Sequence, residues 1–217
     1  MSLRGRKVLV TGGPTRAPLD AVRYITNKST GRLGALLAEE ALQRGASVTF
    51  VHGRPSQVPT RRGGVRDHLT MIAIATVQDL IRTFREELPK GYDAVIHNMA
   101  VLDFEPAESR PGKTGSEEPE WALRLVPTPK AIRLVKDLAP QTFLVGFKLE
   151  VGRSREELVA SALELLRVTR SDLVVANDIQ EIEAGRHTGY FVDPSGEVVA
   201  VAEGKEAIAR TLIRLVE

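Results

Sequence analysis

The sequence predicts an α/β protein: a three-layer, Rossmann-like fold with a mostly parallel sheet, helices on both faces and a small C-terminal β-hairpin region. Three observations lead there. Short apolar runs alternate with stretches of helical period, the order that covers a parallel sheet on both faces. The first apolar run stops on glycines and opens into a loop ahead of a helix. Four apolar runs end in polar residues, "VTGG", "IHNMAVLD", "VGFKLE" and "VVAND", and ligands of open parallel sheets gather beyond such carboxyl ends. Any one of these ends is equally read as Asn or Asp making a turn; four together point to a site.

Lys7–Gly13 reads as a buried strand. Residues 14–30 ("PTRAPLDAVRYITNKST") are rich in Pro, Asp, Asn and Thr and read as a long ordered loop. Leu33, Leu36, Leu37 and Ala41 share one helical face, and Gly45 supplies the stop. "SVTFVHG" is the second strand, "RPSQVPTRRGG" a loop, the stretch around Asp67–Ala75 a further strand, and Val77–Leu88 a helix. "YDAVIHNMAV" is a strand with a polar end. The polar segment that follows, residues 102–120, has little packing drive and is expected to be mobile. "WALRLV" is a strand, Pro129–Leu138 a helix, "TFLVGFKLE" a strand, Glu156–Arg167 a helix and "DLVVAND" a strand. "YFVDPSGEVVAV" reads as two strands around a Pro-Ser-Gly turn, and Lys205–Val216 as a closing helix. Nothing splits this alternation, so one domain over residues 1–217 is expected.

Composition narrows the function. With 42% hydrophobic residues a sizeable core can be buried, and a net charge of +2 is too small to argue for nucleic acid. The absence of cysteine excludes disulfides, thiolate metal sites and a cysteine nucleophile. No apolar run approaches a membrane span and the N-terminus lacks a signal-peptide stretch, so a soluble, cytoplasmic protein without membrane partners is expected. His52, His68, His97 and His187 have no paired ligand spacing, so no protein-made metal site is expected. Magnesium carried on nucleotide phosphates needs only one or two carboxylates and stays compatible.

The stretch "ITNKSTGRLG" (residues 25–34) carries the most chemistry. Ser29 or Thr30 can cap the helix that follows, Gly31 lets a ligand approach the backbone, and a helix start favours phosphate. The alternative is a capped helix with Gly34 packed on the sheet. An NADP-dependent reductase is a second reading: Tyr24 and Lys28 form a Tyr-x-x-x-Lys pair and Arg54 could meet an NADP phosphate. Against it, the glycines do not make G-x-G-x-x-G, and the pair falls in the first loop instead of a late helix. A third reading is a non-enzymatic nucleotide-binding regulatory domain. "AESRPGKT" (residues 107–114) matches a relaxed P-loop pattern, but no apolar helical face follows it. There is no nucleophile elbow for Ser-His-Asp chemistry.

"VTGGPTRAPLDAVRYITNKSTGRLG" closely resembles the opening of phosphopantothenate–cysteine ligases, also called phosphopantothenoylcysteine synthetases. The likeness continues in order through "IHNMAVLDF", "GKTGS", "LVPTPKAI", "VGFKLE", "DLVVANDI" and "HTGYFV" and covers nearly the whole chain. Many bacterial members are fused to a flavin-dependent decarboxylase; 217 residues are too few to hold that domain as well, so the resemblance is to the standalone form, and "FKLE" is closer to that form than the "FAAET" of fused enzymes. The family uses a nucleoside triphosphate to activate the carboxylate of 4'-phosphopantothenate as an acyl-nucleotide. Pyrophosphate is released, and the amine of L-cysteine then attacks, a step of coenzyme A biosynthesis. Magnesium accompanies the nucleotide, and the members are homodimers.

By the same resemblance, Asn27 contacts the acyl region and serves the second step, its amide able both to donate and to accept hydrogen bonds. Gly12, Ser29, Gly31 and Gly34 receive the nucleotide, Phe147 meets its base or sugar, and Asn177 is a further nucleotide-side residue. Ala100 and Asp103 match residues that the second subunit supplies to the substrate; Asp103 also matches one placed near the nucleotide. Lys113 matches the lysine of a flap, here around residues 104–119, that closes over the site. Arg23 and Lys28 flank Asn27 and can serve the substrate phosphate, surface charge being the alternative. Two departures leave CTP and ATP both open. The paired lysines of CTP-using fused enzymes are replaced in "ALELLRVTR", with Arg167 and Arg170 as the candidate substitutes, and "KNPD" is here "PTPK" (residues 127–130).

Overall fold

The computed structural model describes residues 2–60, 68–117 and 120–217. The expected loop residues 61–64, Asp67 of the expected strand and residues 118–119 of the expected flap lie outside the described residues. In chain order the elements are β1 (Lys7–Gly12), β2 (Arg16–Pro18), β3 (Tyr24–Thr26), α1 (Arg32–Gln43), β4 (Ser47–Gly53), β5 (Leu69–Ile74), α2 (Val77–Glu87), a single 3-10 turn at Leu88–Lys90, β6 (Ala94–His97), β7 (Phe104–Pro106), β8 (Leu125–Pro127), α3 (Ala131–Leu138), β9 (Phe143–Glu150), α4 (Arg155–Thr169), β10 (Leu173–Asp178), α5 (Ile179–Glu183), β11 (Thr188–Val192), β12 (Val198–Glu203) and α6 (Lys205–Val216).

β1 shows how the sheet is built. Val8 and Val10 pack on one face and Leu9 on the other, the two-residue alternation of extended chain with both sides buried. Among the described residues the main sheet has eight strands in the order β12-β11-β10-β9-β6-β1-β4-β5. From β5 across to β10 every pairing is parallel. That is the doubly wound order, with its reversal between β1 and β6. The ends expected to converge, those of β1, β6, β9 and β10, are four adjacent parallel strands and share one edge.

α1 and α6 lie side by side on one face, where Leu37, Ala38, Ala41, Ile208 and Leu212 join Val8, Val10, Phe50 and Val175 in one cluster. α2 and α3 cover the other face through Leu80, Phe84 and Val135 against Leu9, Val51 and Leu144. α4 packs Leu158, Ala162 and Leu166 on Val174 and Val192. Thr76 and Asp79 cap α2, and Ser154 and Glu157 cap α4, each as a reciprocal pair. The predicted three layers are therefore present.

The expected C-terminal hairpin is present: β11 joins β10 antiparallel and β12 joins β11, so both widen the main sheet. Three details differ from expectation. The long first loop contains β2 and β3, paired antiparallel. "WALRLV" contributes only β8, which pairs with β7 outside the main sheet. β6 and β9 bond each other directly, which leaves no slot for another strand between them. α5 was not expected; Asp178 starts it by accepting from the N–H groups of Gln180 and Glu181.

Leu37 is fully buried between α1 and the sheet. Leu37→Ala is expected to lower the unfolding free energy by about 2–5 kcal/mol, whereas Val199→Ala on the exposed side of β12 stays within about 0.5 kcal/mol. Urea denaturation of both variants checks this.

Candidate nucleotide and substrate site

The reversal between β1 and β6 separates two loops, residues 13–31 after β1 and 98–103 after β6, and hydrogen bonds lace them together. The Ala100 N–H donates to the Gly13 carbonyl at 2.9 Å and the Thr15 N–H to the Ala100 carbonyl at 3.1 Å. Thr15 Oγ1 accepts from the Leu102 N–H at 2.9 Å, and Thr26 Oγ1 donates to the Thr15 carbonyl at 2.8 Å. Asn27 then reaches across: its Nδ2 donates to the carbonyls of Ala100 (3.3 Å) and Val101 (3.1 Å). Those bonds fix the amide plane directly over the reversal. Asn27 and Ala100, residues expected at the reacting substrate, thus touch within one protomer.

Beneath the lacing, His97 is buried, edge-on to Phe84, with Nδ1 3.0 Å from Thr11 Oγ1, which accepts from the Met99 N–H. Burial pushes its pKa down to about 4, so it sits there as a neutral ring.

The expected glycines do two different jobs. A Cβ on Gly34 would lie 2.9 Å from the Gly12 Cα, and one on Gly12 would lie 2.9 Å from the Phe50 ring. These two residues therefore bring the first turn of α1 into backbone contact with the end of β1. Gly31 has φ +75°, and a Cβ there would meet Ser56 at 2.8 Å. Its neighbour Thr30 accepts the Gln57 N–H through its carbonyl. Ser29 and Thr30 are not the helix cap expected from their type: Gly31 is the N-cap, without a side-chain bond. Thr30 Oγ1 does accept from the Arg32 N–H at 3.4 Å, and the first turn of α1 has no acidic residue, so the following N–H groups and the positive dipole end are left for an anion.

Phe147 stands on the same face as α1, level with Val175 on β10, and Asn177 is the next residue on that face of β10. Asn177 is buried, with Nδ2 2.8 Å from His187 Nε2. His187 Nδ1 is buried with no partner among the described residues, and burial, aided by Lys205, lowers its pKa to about 4. The sequence reading missed His187 as a site residue, because only the turn after α5 brings it to Asn177.

On the other side of the reversal, Arg23 and Lys113 line a cavity of about 460 Å³ with Gly115, Ser116 and Glu117. Lys28 is exposed beside Asn27, and Asp103 pairs with Lys130 near the surface. The segment expected to be mobile is docked here: Arg110 N–H donates to the Leu19 carbonyl at 2.9 Å and Thr114 N–H to Asp20 at 3.1 Å. Asp20 is a second residue that sequence reasoning missed, since its partner lies 94 positions away.

Three other candidates are not brought to this edge or lack the geometry they need. Arg170 precedes β10 and pairs with Asp137, so it and Arg167 belong to the amino end of the strands. They cannot replace base-contacting lysines at the carboxyl edge of the same protomer. Tyr24 lies on β3 under Arg16, 5.1 Å from its ring centroid, and Lys28 follows in a loop, so the reductase-like pair has no helix to align it. Residues 107–114 join no strand to a helix, which removes the P-loop pattern.

Unfolded His titrates near pH 6.5, so between about pH 6.5 and 4 the unfolded chain binds protons that buried His97 refuses. Stability is expected to rise with pH through that window and to fall as pH drops, by an amount on the order of 2–3 kcal/mol from His97. His52 and His187, also shifted down by burial, act in the same direction. Unfolding free energies measured from pH 7 to 4 test this; His97→Gln flattens the slope.

Residues 3–217 match a family described as the DNA/pantothenate metabolism flavoprotein C-terminal domain. The Coenzyme A biosynthesis bifunctional protein CoaBC of Thermococcus kodakarensis is 43% identical over 180 residues, 82% of this chain and 43% of that protein. The CoaBC of Methanocaldococcus jannaschii is 28% identical over 214 residues, 98% of this chain and 51% of that protein. The chain thus spans about half the length of the curated relatives it matches. A crystal structure of the DNA/pantothenate metabolism flavoprotein from Streptococcus pneumoniae is similar at a TM-score of 0.87 and 30% identity, with 98% of each chain covered. With the doubly wound sheet and the laced carboxyl edge already in place, a match over almost every residue settles the family: the chain belongs to the DNA/pantothenate metabolism flavoprotein C-terminal domain family.

Proposed function

We propose that this chain joins 4'-phosphopantothenate to L-cysteine in coenzyme A biosynthesis, using a nucleoside triphosphate and passing through an acyl-nucleotide. The observation that carries the reading is a juxtaposition. The start of α1, bare of acidic side chains, and the Asn27 amide meet at one edge of the sheet, where an activated acyl group has to sit beside a phosphate. The family to which the chain belongs, and relatives named for coenzyme A biosynthesis, support it.

In this reading, an oxygen of the phosphopantothenate carboxylate attacks the α-phosphorus of CTP or ATP, and pyrophosphate leaves. The cysteine amine then attacks the acyl carbon, the nucleoside monophosphate leaves with the C–O bonding pair, and the nitrogen gives up a proton. The α1 start, with Ser29 and Gly31, faces the triphosphate, its seat made by Gly12 and Gly34; Phe147 and Asn177 hold the nucleoside. Arg23 and Lys28 meet the substrate phosphate, and Lys113 offsets charge on the reacting phosphates. Asn27 orients the acyl group for the amine. Neither step needs a covalent enzyme nucleophile.

Magnesium fits this reading as an ion carried by the triphosphate. Among the described residues no group of three or more His, Asp or Glu side chains forms a protein cage. The exposed Asp103 carboxylate supplies the kind of single oxygen donor that a phosphate-bound ion takes. When bound, the ion offsets triphosphate charge.

A homodimer belongs to the same proposal. Val22, Tyr24, Phe104, Leu123 and Leu125 are large apolar side chains left exposed on or beside the two small hairpins. A second copy covering them brings Ala100 and Asp103 of one protomer toward the substrate of the other. The cytoplasm is the location this reading implies; no helix among the described residues is long and apolar enough to cross a membrane.

The test is pyrophosphate release from CTP and from ATP in parallel, with and without phosphopantothenate, followed by addition of cysteine. Release that requires phosphopantothenate is expected, with amide product after cysteine; no turnover with either nucleotide overturns the reading. Asn27→Asp is expected to release a first equivalent of pyrophosphate while product formation falls roughly 100-fold. Normal product formation removes Asn27 from the second step. Sedimentation should give a dimer for the native chain and a monomer for Phe104→Asp.

A further inference from the structure

Asp20 sits at the tip of the loop between β2 and β3, yet its carboxylate is fully shielded from water. Four donors converge on it. Oδ1 accepts from the N–H groups of Val22 (2.8 Å) and Arg23 (2.7 Å). Oδ2 accepts from Arg23 Nη1 (2.9 Å) and from the Thr114 N–H (3.1 Å). The same Arg23 Nη1 also donates to the Thr114 carbonyl at 3.2 Å. Asp20 and Arg23 therefore grip Thr114 from both sides, one through its N–H and the other through its C=O. Arg110 to Leu19 and Ala21 to Gly112 add two backbone bonds along the same seam.

Trp121 closes the arrangement. Its ring lies under the guanidinium groups of Arg23, 5.5 Å away, and Arg110, 5.1 Å away, a contact that a cation and an aromatic face favour. Lys113, next to the gripped residue, shares the cavity with Arg23.

We infer that Asp20 is a positioning residue, a latch that holds the Lys113-bearing flap and the Arg23 guanidinium in one arrangement at the mouth of the site. The role rests on the ligase reading for its consequence, but not for its geometry. A surface carboxylate at a loop tip would ordinarily be solvated; this one is buried because it organises two segments 94 residues apart. Burial works against its charge, but the N–H groups of Val22, Thr114 and Arg23, with the Arg23 charge, outweigh that and hold its pKa near 2. The latch is thus charged at any pH at which the enzyme works. Undocking would release Lys113 and Arg23 together, so the two cations act as one unit.

Trp121 is the chain's single tryptophan, so docking can be read without substrate. Acrylamide quenching of its fluorescence and tryptic cleavage after Lys113 are measured in the full chain for wild type, Asp20→Ala, Asp20→Asn and Thr114→Pro. Thr114→Pro removes the gripped N–H from the flap side and carries the test if the Asp20 variants do not fold. The expected result is quenching up about twofold and cleavage up roughly tenfold in Asp20→Ala and Thr114→Pro, Asp20→Asn lying between, with thermal midpoints near wild type. Kcat for pyrophosphate release should fall about tenfold while the nucleotide KM stays within about twofold. Unchanged quenching and cleavage overturn the latch. Changed quenching with unchanged kcat overturns its positioning role. If wild type itself releases no pyrophosphate, the ligase reading fails, and the quenching and cleavage alone decide the latch.

Discussion

A helix can offer its first N–H groups to a ligand at the end of a strand only when helix and strand come into backbone contact. Gly12 and Gly34 make that contact here: a Cβ on Gly34 would lie 2.9 Å from the Gly12 Cα, closer than such atoms pack. The approach sets the height of α1 above the sheet and carries its open N-terminus to the carboxyl edge. It also fixes where Gly31 must turn with positive φ, against Ser56 and Gln57. Had Gly34 been larger, α1 would ride outward and its dipole would point past the crevice.

From that fixed point the site grows in two directions. Toward β9 and β10 it is built from regular structure: Phe147 and Asn177 stand on strands whose registry leaves little freedom. Toward the first loop it is built from hydrogen bonds between loops. Thr15, Asn27 and Ala100 hold one another just outside the ends of the short β2–β3 pair. The side proposed to hold the nucleoside is accordingly a rigid surface. The side proposed to hold the substrate is a laced loop against which the segment around Thr114 is docked.

The division explains what could be read from residues in order. β1, β4, β9 and β10 announce themselves as apolar runs, α1 by Leu33, Leu37 and Ala41 with Gly45 behind it, and their alternation gives the layers. What failed to register was made by pairs distant in the chain or by exposed residues. β2, β3, β7 and β8 are short and only partly buried, so no periodicity marks them. Ser29 and Thr30 have the composition of a cap, yet the tight approach of Ser56 selects Gly31 for that place, a constraint invisible without the neighbouring loop. Asp20 looks like a turn former; its partner Thr114 lies in the segment that seemed least structured. The family resemblance pointed to Asn27, Lys113 and the glycines as candidates, but not to the bonds that Asp20 and Thr15 make beside them.

The side-by-side packing of α1 and α6 has a bearing on how such a chain emerges from the ribosome. The helix that follows the first loop shares its buried face with a helix made more than 160 residues later, Arg32 pairing with Glu206 across the join. A nascent chain holding β1, α1 and β4 therefore carries Leu37, Ala38 and Ala41 with only part of their cover. Contacts of such sequence separation form late and slowly. The earliest-made part of the site is among the last to be finished, and until then its exposed apolar stripe is a natural target for a chaperone.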